Sequence, residues 1–523
     1  MSGNNIYLEQ IYQVLPGLFG RFDRDPVSPT HGVGDRLFWG WKLIDFGNGT
    51  FQGMANGLAR LVTCDLLPED IKKKGIEQRI DEIFKGTKFL TRPNGSLEEA
   101  FPFESSYCVT ALVAYDLLTA IELLNPVSNT EKISEYLQII SPLIQHLIHN
   151  DEKHAFISNH LATAAAALIK WSIITGEDTG NSGENLLDRI LSEQSPEGWY
   201  KEYDGADPGY QSLCMYYLAD IARIRQDLNL MESLKRALDF LIYFVHPDGS
   251  FGGLYGSRNT RFYYPAGFEY LAKTFEKSYT FAQFMRDSIQ NNTVVNLLAM
   301  DPQNMVPMFN SYSWAAQLLS ENGPQDSLSS REVLPMYQKQ DFTENFPKAG
   351  IIIDKGKQHY TVISTHKGGV VQHYVDGKQE NINSGVVIKN KQKGKYYSTQ
   401  SFNPENAVQF LENEIRVESQ FVLMHHQLPS PAKFIILRLL NVTVMRSTFL
   451  STMIKKLLVK LLITGNNSIP VVNVRKIQMG PDLTIADLQN GNFNQYEVVQ
   501  YHQPFRAIHM ASQGYWQRQD DEI

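Results

Sequence analysis

The chain has 523 residues, of which 43% are hydrophobic and 20% are charged, and its formal net charge is −8. This length exceeds the size at which a single hydrophobic core stops growing, so we expect at least two domains. The acidic balance excludes an overall basic surface for nucleic acid, and an acidic polymer could bind only at a local cationic or amide-lined cleft.

Three segments of the N-terminal half resemble one another. Each has a turn containing Pro and Gly, then a polar and aromatic loop, then an apolar run. Their turn glycines are Gly95, Gly198 and Gly249, at intervals of 103 and 51 residues. A regular interval of this size is typical of stacked supersecondary units, and it leaves room for two helices and a loop.

Helical periodicity predominates from about residue 36 to residue 320, and this span holds about five to six such hairpins. The predicted helical segments are 76–84, 109–124, 133–147, 161–174, 215–224, 234–244 and 268–275. Hairpins of this number can close into an (α/α) toroid whose loops meet at one end. An open helical solenoid has the same sequence pattern and remains an alternative.

After a segment rich in Ser, Gly, Pro and Asn at 321–331, the pattern changes to short β-branched and aromatic runs. Strands are predicted in 349–354, 360–365, 369–374, 385–389, 414–422 and 434–444. The predicted fold class is therefore α+β multidomain, with a toroid over 1–325, a linker over 326–345 and an antiparallel β-sandwich over 346–523.

The most apolar stretch, 434–464, is interrupted by Lys and Arg, so it is not predicted to span a bilayer. A strand followed by an amphipathic helix is the favoured structure there, and a helix lying on a membrane surface is the alternative. The N-terminus lacks the basic and apolar runs of a secretory signal, which predicts a cytoplasmic location. The three cysteines form no Cys-x-x-Cys pair, so neither a disulfide framework nor a metal site is expected.

Polar loops before the predicted inner helices carry the candidate functional residues. The first combines aromatic faces for sugar rings with charged hydrogen-bonding groups, and its candidates are Asp35, Arg36, Trp39, Trp41, Lys42 and Asp45. A capped helix with an internal ion pair explains the same residues equally well. The second loop contributes Glu104, although a glutamate at a helix N-terminus is favoured by the helix dipole alone.

The third loop places Asn159 and His160 at the start of a helix of small residues, and the fourth places Asp207 and Tyr210 at the start of another. An Asn at such a position is commonly only a helix N-cap. The following repeat adds a further group of candidates for substrate binding, which are Arg258, Arg261 and Tyr264. Arginines can hold carboxylates through two parallel hydrogen bonds.

These motifs, Asn-His opening a small-residue helix, Asp-x-x-Asp-Pro-Gly-Tyr-Gln at 204–211 and Gly-Ser-Arg at 256–258, precede a β-rich domain. In that order they resemble the heparinase II/III-like and alginate-lyase-like polysaccharide lyases, and uncharacterised heparinase-like proteins linked to bacterial surface polysaccharides. The resemblance implies β-elimination at a uronic acid of an acidic polysaccharide, without a cofactor. It also implies that Asn159 neutralises the substrate carboxylate, that His160 is the base and that Tyr210 is the catalytic tyrosine.

Two features depart from that family's pattern. Its β-domain contributes a His followed by an acid, whereas the candidates here, His366 and His373, lack that acid. The absent secretory signal also differs from enzymes that meet their polymer outside the cell. Two other functions therefore stay open. One is a toroidal glycoside hydrolase that uses Glu104 with Asp204 or Asp207, and the other is a non-catalytic polysaccharide-binding or assembly protein.

Overall fold

In the computed structural model the described residues are 5–499, except 42, 127–128, 153–154, 204, 323–331, 425–429, 448–449, 451–452, 455–456 and 458–467. The helices are α1 (Ile6–Phe19), α2 (Arg36–Trp39), α3 (Met54–Thr63), α4 (Lys73–Leu90), α5 (Tyr107–Leu124), α6 (Thr130–His149), α7 (Ser158–Thr175), α8 (Ser182–Ser192), α9 (Pro208–Ile224), α10 (Met231–Leu241), α11 (Ala266–Leu271), α12 (Glu276–Gln290), α13 (Met305–Asn322) and α14 (Pro431–Val442). Short 3₁₀ helices occupy Gly49–Gly53, Gln226–Leu228, Ile242–Phe244, Pro335–Tyr337 and Val444–Arg446.

The helical half is a closed ring. Helices α3, α5, α7, α9, α11 and α13 contact one another in that order, and α13 packs back against α3. The outer layer consists of α1, α4, α6, α8, α10 and α12, each packed against the inner ring. The predicted toroid is thus confirmed, and contact between the first and last inner helices excludes the open solenoid.

The inner helices α5 and α7 are apolar on nearly all sides because they contact neighbours on nearly all sides. In α7 the run Ala164–Ala167 is completely buried, and its small side chains let α5, α8 and α9 approach closely.

Among the described helices, α5 alone is long and apolar enough to cross a membrane, and 78% of its 18 residues are buried inside the toroid. The repeat turns also fit this packing, since Gly198 has a positive φ of 101° and lies against the backbone of α10 at Arg236.

The second half is built from two antiparallel sheets. Its strands are β1 (Phe342–Phe346), β2 (Ile351–Lys355), β3 (His359–Ser364), β4 (Val370–Val375), β5 (Lys378–Asn383), β6 (Val387–Asn390), β7 (Tyr396–Ser398), β8 (Ala407–Phe410), β9 (Glu414–Leu423), β10 (Ser468–Gln478), β11 (Thr484–Gly491) and β12 (Tyr496–Val499). One sheet has the order β1-β2-β3-β4-β5 and the other β11-β10-β9-β7-β6-β12, with β8 paired to β9. Ile352 and Ile363 of the first sheet share one hydrophobic cluster with Val417 and Ile477 of the second, as in a sandwich.

Two details differ from the sequence prediction. The first strand begins at Phe342, inside the segment 326–345 that was predicted to be a linker. The strand predicted at 434–444 is wrong, because this segment forms helix α14. Ser430 caps the helix by accepting a hydrogen bond from the Lys433 amide, and Pro431 occupies the first turn, where its missing N–H costs nothing.

The sandwich packs directly on the toroid. Phe346 of β1 lies 5.0 Å from the ring of Phe240 in α10, and the Tyr360 hydroxyl donates to the Tyr243 carbonyl at 2.6 Å. These residues belong to the same hydrophobic core as the helices. The turn between β3 and β4 is therefore held against the loops that precede the inner helices.

Candidate functional site

A cavity of about 110 Å³ lies where the loops before the inner helices meet. The described residues that line it are Thr50, Glu99, Cys108, Val109, Leu112, Asn159, His160, Tyr210, Leu213, Phe262, Tyr264, Met300, Asn304 and Pro307. It combines aromatic and apolar walls with a few polar groups at helix N-termini, a composition typical of small-molecule sites. Of the residues predicted from the sequence, Asn159, His160, Tyr210 and Tyr264 come together in this one place.

Asn159 is fixed by a partner that sequence reasoning missed. Its side-chain amide donates to Glu202 Oε2 at 2.9 Å, and both residues are buried. The loop that carries Glu202 is held beside α7 because the Ser158 amide donates to the Lys201 carbonyl at 3.1 Å. Burial raises the pKa of Glu202 to about 7, against the opposing influence of His160, of the Asn159 hydrogen bond and of Arg258.

His160 lies between a carboxylate and a thiol. Its Nδ1 is 2.8 Å from Glu152 Oε2, and its ring also hydrogen-bonds Cys108. Burial by itself favours the neutral imidazole, but Cys108 and the Glu152 carboxylate raise the pKa of His160 well above its ordinary value. A protonated imidazole donates hydrogen bonds and carries positive charge. This geometry therefore favours an electrostatic role for His160 over the role of base that the resemblance implied.

Tyr210 faces the cavity from the first turn of α9. Its ring is half-buried and packs edge-on against Phe262 at 5.3 Å, and Phe262 packs in the same way against Tyr264 at 5.5 Å. Asp207 caps the helix by accepting a hydrogen bond from the Tyr210 amide at 3.1 Å. The tyrosine backbone is thus fixed while the phenol remains at the cavity wall.

Asp207 accepts hydrogen bonds from the surrounding loops. It is completely buried, and besides capping α9 it accepts hydrogen bonds from the Arg258 amide at 2.9 Å and from the Thr260 side chain. Glu104 is similar, because its Oε2 accepts the backbone amides of Glu99 and Ala100. Both predicted carboxylates hold loops in place, and neither lines the cavity.

The two predicted arginines act on other side chains of the fold. The guanidinium of Arg258 lies 3.9 Å from the centre of the Tyr203 ring, and it acts electrostatically on Glu202. Arg261 faces His246 instead, where burial and the arginine lower the pKa of that histidine to about 3. Neither arginine is among the described residues that line the cavity. Arg258 thus lowers the pKa of Glu202, the partner of Asn159, without lining the cavity.

The described residues predicted in the first loop are not among those that line the cavity. Asp35 is the N-cap of α2, and the Trp39 indole donates to the Arg21 carbonyl at 2.7 Å. Asp45 pairs with Arg438 beside α14. Arg36 and Trp41 are solvent-exposed, and the predicted Lys42 lies outside the described residues. Thr50, a little further along this segment, is the residue that reaches the cavity.

The turn between β3 and β4 supports the site from the sandwich. His366 packs edge-on against Phe402 at 5.4 Å, outside the described cavity lining, and burial lowers its pKa. Its neighbour Lys367 is buried, and the ammonium donates to the carbonyls of Leu254 and Gly256 and to the Asn259 side chain. The sandwich thus contributes through Lys367 to the shape of the loop that carries Arg258, instead of through the predicted histidine.

No family model and no curated protein matches this chain. Similar solved structures include a xanthan lyase from Paenibacillus (TM-score 0.46, 11% identity, covering 80% of this chain and 44% of that one). They also include chondroitin AC lyase from Streptomyces coelicolor A3 (TM-score 0.46, 8% identity, 80% and 66% covered) and heparinase III (TM-score 0.46, 10% identity, 94% and 80% covered). These neighbours are polysaccharide lyases. This chain spans less than half of the xanthan lyase, and at these identities the likeness says nothing about reaction or substrate.

Proposed function

We propose that this protein cleaves a uronate-containing polysaccharide by β-elimination at the cavity of the toroid. One observation carries the proposal: Asn159, His160 and Tyr210, from the first turns of two adjacent inner helices, line the same cavity. An amide donor, a cation and a phenol are the three functions that the elimination requires. Phe262 and Tyr264, each 4% exposed, form an aromatic wall beside Tyr210.

The first step is removal of the proton α to the uronate carboxylate. Asn159 donates a hydrogen bond to the carboxylate. The positive charge of His160, whose ring is bonded to Glu152 and Cys108, stabilises the negative charge that develops on the carboxylate oxygens. Tyr210, as the phenolate, accepts the proton from C5. The electron pair of the C–H bond then forms the aci-carboxylate dianion.

The second step breaks the glycosidic bond. The dianion collapses to form the C4–C5 double bond, and the C4–O4 bond breaks with its electron pair on the leaving oxygen. Tyr210, protonated in the first step, returns the proton to that oxygen. The products are a saccharide with a new reducing end, whose anomeric hydroxyl contains the leaving oxygen, and a fragment with a 4,5-unsaturated uronate at its non-reducing end, which absorbs in the ultraviolet.

The positions of the candidate carboxylates do not favour a glycoside hydrolase. Two carboxylates must flank the glycosidic bond in such an enzyme. Glu104 and Asp207 instead accept backbone hydrogen bonds outside the cavity lining, and Asp204 lies outside the described residues. Among the described residues that line the cavity, Glu99 is the single carboxylate, so the pair is incomplete there.

A panel of uronate polymers tests the proposal. With the full-length protein we expect an ultraviolet-absorbing product from at least one polymer, and no product with Tyr210→Phe although the polymer still binds. Tyr12→Phe is the matched control, because the Tyr12 hydroxyl donates to the Leu66 carbonyl far from the cavity, and it should keep full activity. New reducing ends without ultraviolet absorbance would indicate a hydrolase, and binding without either signal would indicate a polysaccharide-binding protein.

A further inference from the structure

Helix α14 leaves large apolar side chains in solvent. It connects the neighbouring strands β9 and β10, and Phe434, Ile435, Ile436 and Leu439 are each more than half exposed. Soluble proteins rarely expose several large apolar side chains together unless something binds them. Fully burying one such side chain is worth about 1.5–3 kcal/mol.

A second exposed segment lies next to this helix. Arg438 of α14 pairs with Asp45, and the same loop exposes Trp41 (64%) and Leu43 (83%). We define these side chains together as the apolar patch: Trp41, Leu43, Phe434, Ile435, Ile436 and Leu439.

The residues of α14 and its C-terminal extension carry an excess of positive charge, although Arg438 is paired with Asp45. The stretch 431–446 contains Lys433, Arg438 and Arg446 and no Asp or Glu, in a protein of net charge −8. The sequence continues this bias, because residues 431–467 contain six Lys and Arg and no acidic residue. Apolar side chains flanked by cations are the composition of helices that lie in the interface of an anionic membrane.

Two other occupants fit the patch less well. A second copy of the chain in a twofold dimer would bring α14, which contains no acidic residue, close to its own copy and place like charges together. An acidic polysaccharide would satisfy the cations but leave the apolar side chains in water. A helix of twelve residues is about 18 Å long, too short to cross a hydrocarbon core of about 30 Å, so α14 can lie on a bilayer but cannot span it.

We infer that the apolar patch docks this protein onto an anionic lipid surface. Beyond the end of α14, Arg446 lies over the Phe103 ring at 4.9 Å, and the loop that contains Phe103 also carries Glu99, which lines the cavity. Docking would therefore hold the cavity close to the membrane, where a polysaccharide attached to that surface can reach it.

Vesicle sedimentation of the full-length chain tests this inference. We expect binding to phosphatidylcholine vesicles that contain phosphatidylglycerol, weaker binding to phosphatidylcholine alone, and a decrease as salt is raised. Ile435→Ser with Leu439→Ser should weaken binding about tenfold or more, since two apolar side chains lose their burial. Lys433→Glu should weaken binding to the anionic vesicles only.

Leu488→Ser is the matched control, because Leu488 is exposed to the same degree (59%) on β11, and it should bind like the wild type. Thermal unfolding of the double variant should be unchanged, since the replaced side chains are solvent-exposed. The inference is overturned if the wild type does not bind vesicles, if the double variant binds equally well, or if light scattering shows a dimer that the double variant abolishes. Vesicle binding needs no turnover, so this result is independent of the proposed reaction.

Discussion

Asn159 has two amide hydrogens, and the observed hydrogen bond to Glu202 uses one of them. The other is available to a substrate carboxylate in the cavity that Asn159 lines. Glu202 therefore fixes the rotamer of the amide, and the amide supplies the oxyanion donor. Burial favours the neutral form of Glu202, so this carboxyl group does not repel an anionic substrate bound next to it.

Asn159→Ala removes this donor. We expect kcat to fall by about two to three orders of magnitude, the usual effect of losing one oxyanion-type hydrogen bond. Initial rates of ultraviolet-absorbing product measure the change. Asn150→Ala, which removes an amide bonded to the His146 carbonyl outside the cavity, should leave kcat unchanged. An unchanged kcat for Asn159→Ala would show that Asn159 has only a structural role, at the start of α7 and as the partner of Glu202.

Glu202 makes stability depend on pH. Its carboxyl group titrates near 4.3 in the unfolded chain and at about 7 in the folded protein. Between these values the folded state binds more protons, so the free energy of unfolding falls as pH rises. In Glu202→Gln this loss is absent, and the stability of the variant relative to wild type should rise by about 3 kcal/mol from pH 4 to pH 8.

Urea denaturation of both proteins across this range measures that difference. Glu193→Gln is the control, since the Glu193 side chain is about half exposed and pairs only with Lys201 among the described residues. Parallel stability curves for wild type and Glu202→Gln would contradict the prediction and show that Glu202 is ionised in the folded protein.

At the scale of elements, residues of both domains hydrogen-bond the loop between Gly252 and Thr260. Asp207 of α9 accepts its amides from the toroid side, and Lys367 donates to its carbonyls from the sandwich side. Gln372 of β4 also accepts the Leu254 amide at 3.0 Å. The position of Arg258 is consequently set by both domains.

Lys367→Met removes the sandwich support. Each buried acceptor that loses its partner costs about 1–3 kcal/mol, so the free energy of unfolding should fall by several kcal/mol. Hydrogen exchange should speed up at residues 252–260 before it does so in the helices. Lys378→Met is the control, because Lys378 is exposed on β5. If exchange in this loop stays as slow as in the wild type, Lys367 does not hold it.

Local patterns in the sequence predicted those elements whose structure is decided locally. The apolar periodicity of α5, α6 and α7 and the strands β2, β3 and β4 were all predictable, because each buries a regular stripe or face. Helix α14 was not, since an apolar run without alternation fits either a strand or a helix. Its capping Ser430 and Pro431 were the signal available.

The candidate site was predictable in part for the same reason. Asn159 and Tyr210 open helices in the repeat register, so their meeting followed from the ring. A carboxylate before a helix, by contrast, can either cap the helix or face a ligand, and the local sequence is the same in both cases. Asp207 caps its helix. Glu202 could not be predicted, because its partnership with Asn159 spans 43 residues and depends on two loops pairing side by side.

At the scale of the whole molecule, the ring depends on one seam between its first and last inner helices. There the Gly57 amide donates to Asn310 Oδ1 at 3.0 Å, and Asn310 Nδ2 donates to the Gly53 carbonyl at 3.0 Å. Phe309 fills the space over Gly57, where a side chain would collide with it. Contacts that join residues about 250 positions apart close the chain on itself, and they shape the end of the toroid where the loops meet.

Asn310→Ala opens this seam without removing apolar contacts. The buried amide of Gly57 and carbonyl of Gly53 lose their partner, and we expect the free energy of unfolding to fall by about 1–3 kcal/mol for each. In a closed ring the loss should lower the stability of all inner helices together, which hydrogen exchange in α3, α7 and α13 can measure. Gln13→Ala, on the exposed face of α1, is the control. Faster exchange confined to α3 and α13 would instead show that the hairpins unfold independently, as in an open solenoid, and that closure contributes little to stability.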